Sequence, residues 1–518
     1  MHYLDWTAIV LFFLVMIVIG AWSYNKVSDT KDFFVSGGKL PWWLSGISHH
    51  VSGYSGAVFV AYAALAYTHG FTIYVWWAFT IAISIFVGAF FIAPRWSRLQ
   101  TKLGIQSPTE YLKQRYNFPV QQLMAWSGVI LKLFDVGAKW AAIAILLNVF
   151  TGIPFVYGIL LSGGISLIYI TLGGLWAVVW TDFAQFVVQI IAGLAMFFIV
   201  ISILGGFHSI VTVWDQLPES HSQLFHSPYT AGFALAFLFI NFLSYNGGTW
   251  NLATRYISSP SGSDAKKAAM LSAALYLVWP LILFFPMWAA PVLIPDMEDP
   301  AQSYALLTME FLPAGLVGLV VASMFANTMS MTSSDANTIT AVITRDILPS
   351  LSKKFRNLRE NPSLPIARIT TVIFTVLTLI IAIYSDLFGG VIGLIILWFA
   401  ALVGPISVPM ILGLLPMFRH SGASAAFSSI IAGLLAFVAM RYFGGEQVVQ
   451  VAAPIATSFI VFLSMGFVNY LRKKPVDADV DELLEKMKLD IIPSILTSEA
   501  ENKKDEGNVK DVPSANNG

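Results

Sequence analysis

Cysteine is absent from the 518 residues, which excludes disulfides and thiolate metal sites and leaves the compartment open. Charge is scarce as well: 11% of residues are Asp, Glu, Lys or Arg, 57% are hydrophobic, and mean hydropathy is +0.73. No soluble core needs so much apolar surface, which leaves a polytopic membrane protein. The N-terminus, MHYLDW, lacks the basic stretch that opens a cleaved signal, and the apolar run after it is long enough to span, so it reads as a retained first helix. No nucleophile–base pair, metal-ligand spacing or phosphate-cradling loop stands out, so an enzyme is not expected.

What is present is apolar length. Thirteen segments stand out, near 5–24, 43–68, 72–97, 119–149, 156–175, 178–205, 231–257, 266–292, 313–345, 366–385, 388–416, 422–441 and 449–471. Several exceed the ~20 residues that cross a bilayer, so tilt or breaks are expected. The 29 basic and 29 acidic residues cancel but are segregated. With the N-terminus outside, the inside loops and helix ends collect Lys26, Lys31, Lys39, Arg95, Arg98, Lys102, Lys113, Arg115, Arg255, Lys266, Lys267, Lys353, Lys354, Arg356, Arg359, Arg419 and Arg472 to Lys474. The outside loops hold only Arg441 and are otherwise acidic, as at Asp215, Glu219, Asp296, Glu298 and Asp299. This asymmetry places the C-terminus in the cytoplasm and the chain in the plasma (inner) membrane. Residues 97–117 read as an amphipathic segment along the cytoplasmic face. The tail from Lys473 reads as largely disordered beyond a short helix near Val480 to Leu489.

The most informative stretch runs from Ser323 to Asp346. On a helix, Ser323, Asn327, Ser330, Ser334 and Asn337 share one face, and Met331, Asp335 and Thr338 form a stripe beside it. Unpaired polar groups in hydrocarbon are costly, so this face calls for another helix, a water-filled path or a cation. Two other segments are interrupted. The second carries Ser45, Gly46, Ser48, His49, His50, Ser52, Gly53, Ser55 and Gly56; the seventh carries Ser244, Asn246, Gly247, Gly248 and Thr249. They lie five segments apart and therefore cross in opposite directions, the pattern of a transporter built from an inverted repeat. Close helix packing is the plainer use of such small residues. On the fourth segment Asp135 and Lys139 can pair on one face; the sharper alternative is that Lys139 meets a substrate carboxylate. His49 and His50 read as polar lining rather than as metal ligands or proton carriers.

GGLWAVVWTDFAQ, residues 173–185, resembles the GG-x3-V-x2-TD-x2-Q signature of the sodium/solute symporter family, which includes the sodium-coupled glucose, proline and sialic acid transporters. GGKLPWW, residues 37–43, is similar to that family's GGR-x-x-x-W motif, and MSMTSSDANTITAVITRDI, residues 329–347, to its MSS-x-x-S-x-x-N-S segment. The resemblance implies an all-α membrane fold with a leucine-transporter-like, five-plus-five inverted-repeat core. Residues 1–40 would form the first helix and a linker, 41–205 the first repeat, 206–418 the second, 419–472 two peripheral helices and 473–518 the cytoplasmic tail.

It further implies one sodium site built from backbone carbonyls near Val51, Tyr54 and Asn327 with the hydroxyl of Ser330. Met331 falls where the family has a second hydroxyl, and Asp335, one turn on, offers a carboxylate toward the vacated place. A second implied site joins Asp182 to Ser330, Ser333 and Ser334, a donor set that suits a hard cation. Taken without the motif, Asp182 reads equally as a charge near a helix N-terminus. Substrate contacts are expected from Ser52, Gly53, Ser55 and Val58, and from Tyr245, Asn246 and Trp250, with Tyr245 either an inner gate or a packed aromatic. The expected function is sodium-coupled import of a small polar solute by alternating access, with a weak lean to a sugar or sugar derivative and no cofactor beyond sodium. Proton coupling in the same fold and a non-transporting sensor with a vestigial transport core are the alternatives. A channel would favour rings repeated across subunits, which a single asymmetric polar face does not supply.

Overall fold

The computed structural model describes residues 1–490 apart from 353–354, 357–362, 389, 391–393, 395–400, 402 and 445–446. Lys353, Lys354 and Arg359, much of the eleventh segment (388–416) and the tail beyond 490 therefore lie outside the described residues. Apart from one antiparallel bridge between His226 and Tyr229, the described regular structure is helical. Among the described residues, nine helices are long and apolar enough to cross a membrane, and the chain is an all-α multi-pass membrane protein.

The departures from simple spans position the site. Helix α1 (Tyr3–Tyr24) is a plain apolar span. Helix α2 (Trp42–Val51) stops at Ser52, and the chain resumes as a short turn at Gly56–Phe59 and then α3 (Ala61–His69). Helix α4 (Thr80–Phe91) leads into the amphipathic α5 (Ala93–Leu103), which buries Trp96 and Leu99. Helix α6 (Phe118–Thr151) is long enough to cross but carries Lys132, Asp135 and Lys139 buried along it. The next element, α7 (Phe155–Ile203), runs 49 residues. At about 1.5 Å per residue it would be more than twice a ~30 Å bilayer. It is broken at Gly174, where φ is 50° and ψ −139°. A Cβ there would sit 2.5 Å from the Phe33 carbonyl oxygen, so only glycine fits. The expected division into segments 156–175 and 178–205 falls at this break.

The seventh segment is interrupted as its glycines suggested. Helix α8 (Ala231–Leu243) passes into a wide turn at Ser244–Gly248, with φ of 116° at Gly247 and 73° at Trp250, before α9 (Asn251–Ile257). Helix α10 (Gly262–Leu293) spans with three internal prolines, and α11 (Leu316–Val342) is buried almost throughout. Beyond α12 (Leu364–Ile383) and α13 (Ser407–Leu412), the last two spans are α14 (Ala423–Phe443) and α15 (Gln447–Leu471).

Helix α16 (Ala478–Lys486) lies where a short tail helix was expected, and it is docked by its buried Val480, Leu483 and Leu484. Arg98 holds the following turn by donating to the Met487 and Lys488 carbonyls and pairing with Asp490 at 2.8 Å. Two of the basic residues assigned to inside loops and helix ends lie in the last turns of short helices and are also buried: Arg115 is 1% exposed and Arg255 fully buried. Each is held there by hydrogen bonds from its guanidinium, Arg115 to backbone carbonyls and Arg255 to Ser48 and Asp182.

Candidate ion and solute site

Helices α2, α7, α9 and α11 meet around the carboxylate of Asp182, which is fully buried. One oxygen accepts from Ser330 Oγ at 2.6 Å. The other accepts from Ser48 Oγ at 2.5 Å, from Ser52 Oγ at 3.3 Å and from Arg255 Nη2 at 3.1 Å. Ser334 joins through Ser52, 2.9 Å away, and through Arg255. Ser52, at the end of α2, keeps a helical φ of −71° and ψ of −2°, and its amide donates to the Ser48 carbonyl, so the two hydroxyls share one face and both reach the cluster. The serine-rich face of α11 thus finds its partner in another helix and a buried ion pair.

Arg255, in the last turn of α9, is the member of the cluster that sequence reasoning did not name. It stands where a cation completes the ring of oxygens, with Nε on Ser48 at 2.9 Å and Nη2 on Ser52 at 3.0 Å. Its signal was available: it falls inside the seventh apolar segment as drawn, and intramembrane charges face partners or cavities. Ser333 does not join the carboxylate; its hydroxyl donates to the Ser330 carbonyl of its own helix at 3.1 Å.

A second charged cluster lies beside the first. Lys132 and Lys139 on α6 each contact both Asp135 and Asp335, at 2.7–2.8 Å, in an alternating ring of two ammoniums and two carboxylates. Side-chain exposure in this ring is at most 7%. Pairing of Asp135 with Lys139 was expected; the participation of Lys132 and Asp335 was not. This corrects the reading of Asp335 as a carboxylate free to receive sodium beside Met331. Both of its oxygens already hold lysine ammoniums. The Val51 carbonyl accepts from the Tyr54 amide at 3.2 Å, and the Asn327 side chain donates to the Ser323 carbonyl at 2.8 Å. The Tyr54 ring stacks on Tyr276.

A cavity of about 170 Å³ opens between the interrupted helices, lined by Gly53, Ser55, Val58, Tyr62, Trp77, Asp135, Lys139, Tyr245 and Met331 among others. Five of the expected substrate residues, Gly53, Ser55, Val58, Tyr245 and Lys139, therefore reach it. Three do not. Ser52 faces Asp182 instead. Asn246 is buried, its amide donating to the carbonyls of Ser84 and Phe242. Trp250 is fully buried against Gly128, where a Cβ would lie 2.0 Å from the indole. Both are spent on closing the break in the seventh segment. Tyr245 Oη donates to the Gly53 carbonyl at 3.3 Å, so it bridges the two interruptions. His49 is held by Ser272 and the Tyr245 carbonyl, and His50 is packed among Tyr54 and Tyr276; among the described residues no cluster suits a metal ion.

The profile of the sodium:solute symporter family matches residues 33–433. The chain belongs to this family. It is a sodium-coupled symporter of a small polar solute that works by alternating access, and not an enzyme. The sodium/sialic acid symporter NanT of Aliivibrio fischeri is 25% identical over 466 residues, covering 85% of this chain and 88% of that one. The sodium/sialic acid symporter SiaT of Proteus mirabilis is 26% identical, covering 82% and 87%. The sodium/glucose cotransporter of Vibrio parahaemolyticus is 26% identical, covering 67% and 69%. Among solved structures, the substrate-bound, outward-open state of a Na+-coupled sialic acid symporter superposes with a TM-score of 0.79 at 23% identity, covering 90% of this chain and 98% of that one. The nucleobase-cation-symport transporter Mhp1 superposes with 0.55 at 13% identity, covering 88% and 98%. These likenesses carry the fold: helices packed in the manner of an inverted repeat.

Proposed function

We propose that this symporter imports a sugar derivative, a sugar acid of the sialic acid kind first among them, and that its sodium binds at Asp182. The observation that carries the sodium assignment is the meeting of the Asp182 carboxylate with hydroxyls from α2 and α11. Carboxylate and hydroxyl oxygens are the donors a hard cation prefers. Ser330 and Ser334 complete the set, and Ser333 joins by turning its hydroxyl from its own helix. In the arrangement described, the Arg255 guanidinium fills the cation's place. Sodium and Arg255 therefore compete for Asp182, and sodium entry frees Arg255 and the Ser52 break together. Ion binding is thereby linked to the shape of α2, one wall of the cavity; such differential affinity for two states is what coupling requires.

The second implied sodium position, around Val51, Tyr54, Asn327 and Ser330, has a thioether at Met331, and the nearby Asp335 is engaged with lysines. We therefore read one sodium per cycle. The solute reading is supported by the sialic acid relatives and by the cavity chemistry: Lys139 and Ser55 for a polar solute, Tyr62, Trp77 and Tyr245 for its apolar face. The cavity is smaller than the 300–1,000 Å³ usual for ligand sites, so it widens when the solute enters. Lys139 meets a solute carboxylate only by loosening from Asp135 or Asp335. In architecture the reading is thirteen crossings with a five-plus-five core over 41–205 and 206–418, peripheral helices over 419–472, and the N-terminus outside.

The test is uptake into proteoliposomes under an imposed sodium gradient at fixed pH, against a panel of sialic acid, neutral hexoses, amino acids and monocarboxylates. Sodium-driven accumulation of sialic acid or a related sugar acid is expected. Accumulation driven by a proton gradient alone would refute the coupling, and uptake confined to amino acids would refute the solute class.

A further inference from the structure

Far from Asp182, where α14 begins and α15 ends, two adjoining spaces share the residues Arg419 and His420. The smaller, about 370 Å³, is lined by Arg115, Arg419 and Lys474, and by Gly422 and Ala423 at the start of α14. Its one carboxylate, Asp477, caps α16 by accepting from the Asp479 amide. Three cations therefore face a single anion. Arg115 is 1% exposed, donates through Nε and Nη2 to the carbonyls of Gly413 and Phe418, and leaves Nη1 buried without a partner. A buried N–H of a guanidinium without an acceptor is costly. The N-cap of α14, Gly422, has no side chain to satisfy the first-turn amides, which adds positive potential at the same place. Neither Arg419 nor Lys474 has an ion-pair partner among the described residues.

The larger space, about 900 Å³, has the opposite character. It runs along α15 past Leu463 and Phe467 and is bounded by Met417 and Phe418. Met417, in the turn before α14, is 76% exposed, and Phe467, on the spanning α15, is 61% exposed. A cationic chamber at the membrane surface that opens into an apolar groove along the span matches one ligand chemistry: a phosphate or similar anion on an acyl chain. We propose that this is a binding site for an anionic phospholipid, its phosphate on Arg115, Arg419 and Lys474 and its chain along Leu463 and Phe467. A free phosphoanion would use the first chamber only, and the groove argues for the lipid.

The test is native mass spectrometry of the full chain in detergent, titrated with phosphatidylglycerol, phosphatidylcholine or inorganic phosphate. Phosphatidylglycerol is expected to bind at least tenfold tighter than phosphatidylcholine. The double variant Arg419→Gln/Lys474→Gln loses on the order of tenfold or more of that affinity, the scale for two cations near anionic headgroups. A second variant, Ser464→Trp, at a groove-lining position of α15, leaves the cations in place, fills the groove and weakens phosphatidylglycerol binding. Equal binding of the two lipids, or a double variant that binds as the parent does, overturns the site. Inorganic phosphate competing at millimolar concentration overturns the lipid in favour of a free anion. Phosphatidylglycerol binding that emerges only after removal of residues 491–518 overturns it in favour of the chain's own tail.

Discussion

Replacing Asp335 with asparagine isolates the energetics of the buried ring. In the native ring two ammoniums and two carboxylates make four contacts of 2.7–2.8 Å, and no net charge is left inside. Asp335→Asn removes one negative charge while nearly conserving volume. Lys132 and Lys139 must then share Asp135, and one positive charge stays buried without compensation. Breaking a buried pair in this way costs about 3–5 kcal/mol. Adding Lys132→Met restores neutrality, because Lys139 and Asp135 remain paired at 2.8 Å and the amide of the new asparagine can still accept from Lys139. Replacing a whole buried pair is near neutral in such settings, so the double variant is expected to recover at least about 2 kcal/mol of the single variant's loss. The assay is a double-mutant cycle on reversible unfolding in mixed micelles. Additive losses, or a single Asp335→Asn variant as stable as the parent, would refute the argument that the ring is a charge-balanced unit.

Further outcomes follow from the same geometry. A Cβ on Gly88 would lie 1.5 Å from the Asn246 side-chain oxygen. Gly88→Ala is therefore expected to lose about 1–3 kcal/mol in a thermal-unfolding series by displacing the amide that closes the α8–α9 break. In Arg255→Gln, Asp182 loses its internal cation, so the rise in melting temperature on adding sodium should exceed that of the parent; an unchanged or smaller rise would count against competition between Arg255 and sodium. Burial raises the Asp490 carboxyl, but the Arg98 hydrogen bond and charge and the Gly262 amide outweigh it and hold the group below the ordinary carboxylate range. A carboxylate lowered in the folded state stabilises above its unfolded value, near pH 4, and that contribution is lost as pH falls through the lowered one. Exchange protection of the Gly262 amide, which donates to Asp490 at 2.9 Å, should therefore fall below about pH 4 and not above it.

Much of this was legible because bilayer physics writes directly into composition. The polar stripe of α11, the glycines at the two interruptions and the division of α7 at Gly174 each stand out against apolar runs, and each is where the chain breaks or pairs. The family resemblance joined Asp182 to Ser330 and Ser334, which do meet, Ser334 through Ser52; the other partners of those features were not legible. Ser48 and Ser52 could be named as polar and as sharing one face of a helix, but that this face meets Asp182 depends on how α2 packs against α7. Arg255 was read by its nearness to a helix end, and only the packing of α9 against α2 and α11 brings it inward. Asn246 and Trp250 were taken for solute contacts because they flank a break; the break itself consumes them, since its freed backbone and its positive φ need packing and hydrogen bonds of their own. Asp335 and Lys132 lie about two hundred positions apart, and no periodicity links residues across that separation.

The most direct measurement is binding of radiolabelled sodium to the purified chain, parent against Asp182→Asn and Ser330→Ala. The account predicts saturable binding to the parent, its loss in Asp182→Asn and its weakening in Ser330→Ala. Undiminished sodium binding by Asp182→Asn would contradict it.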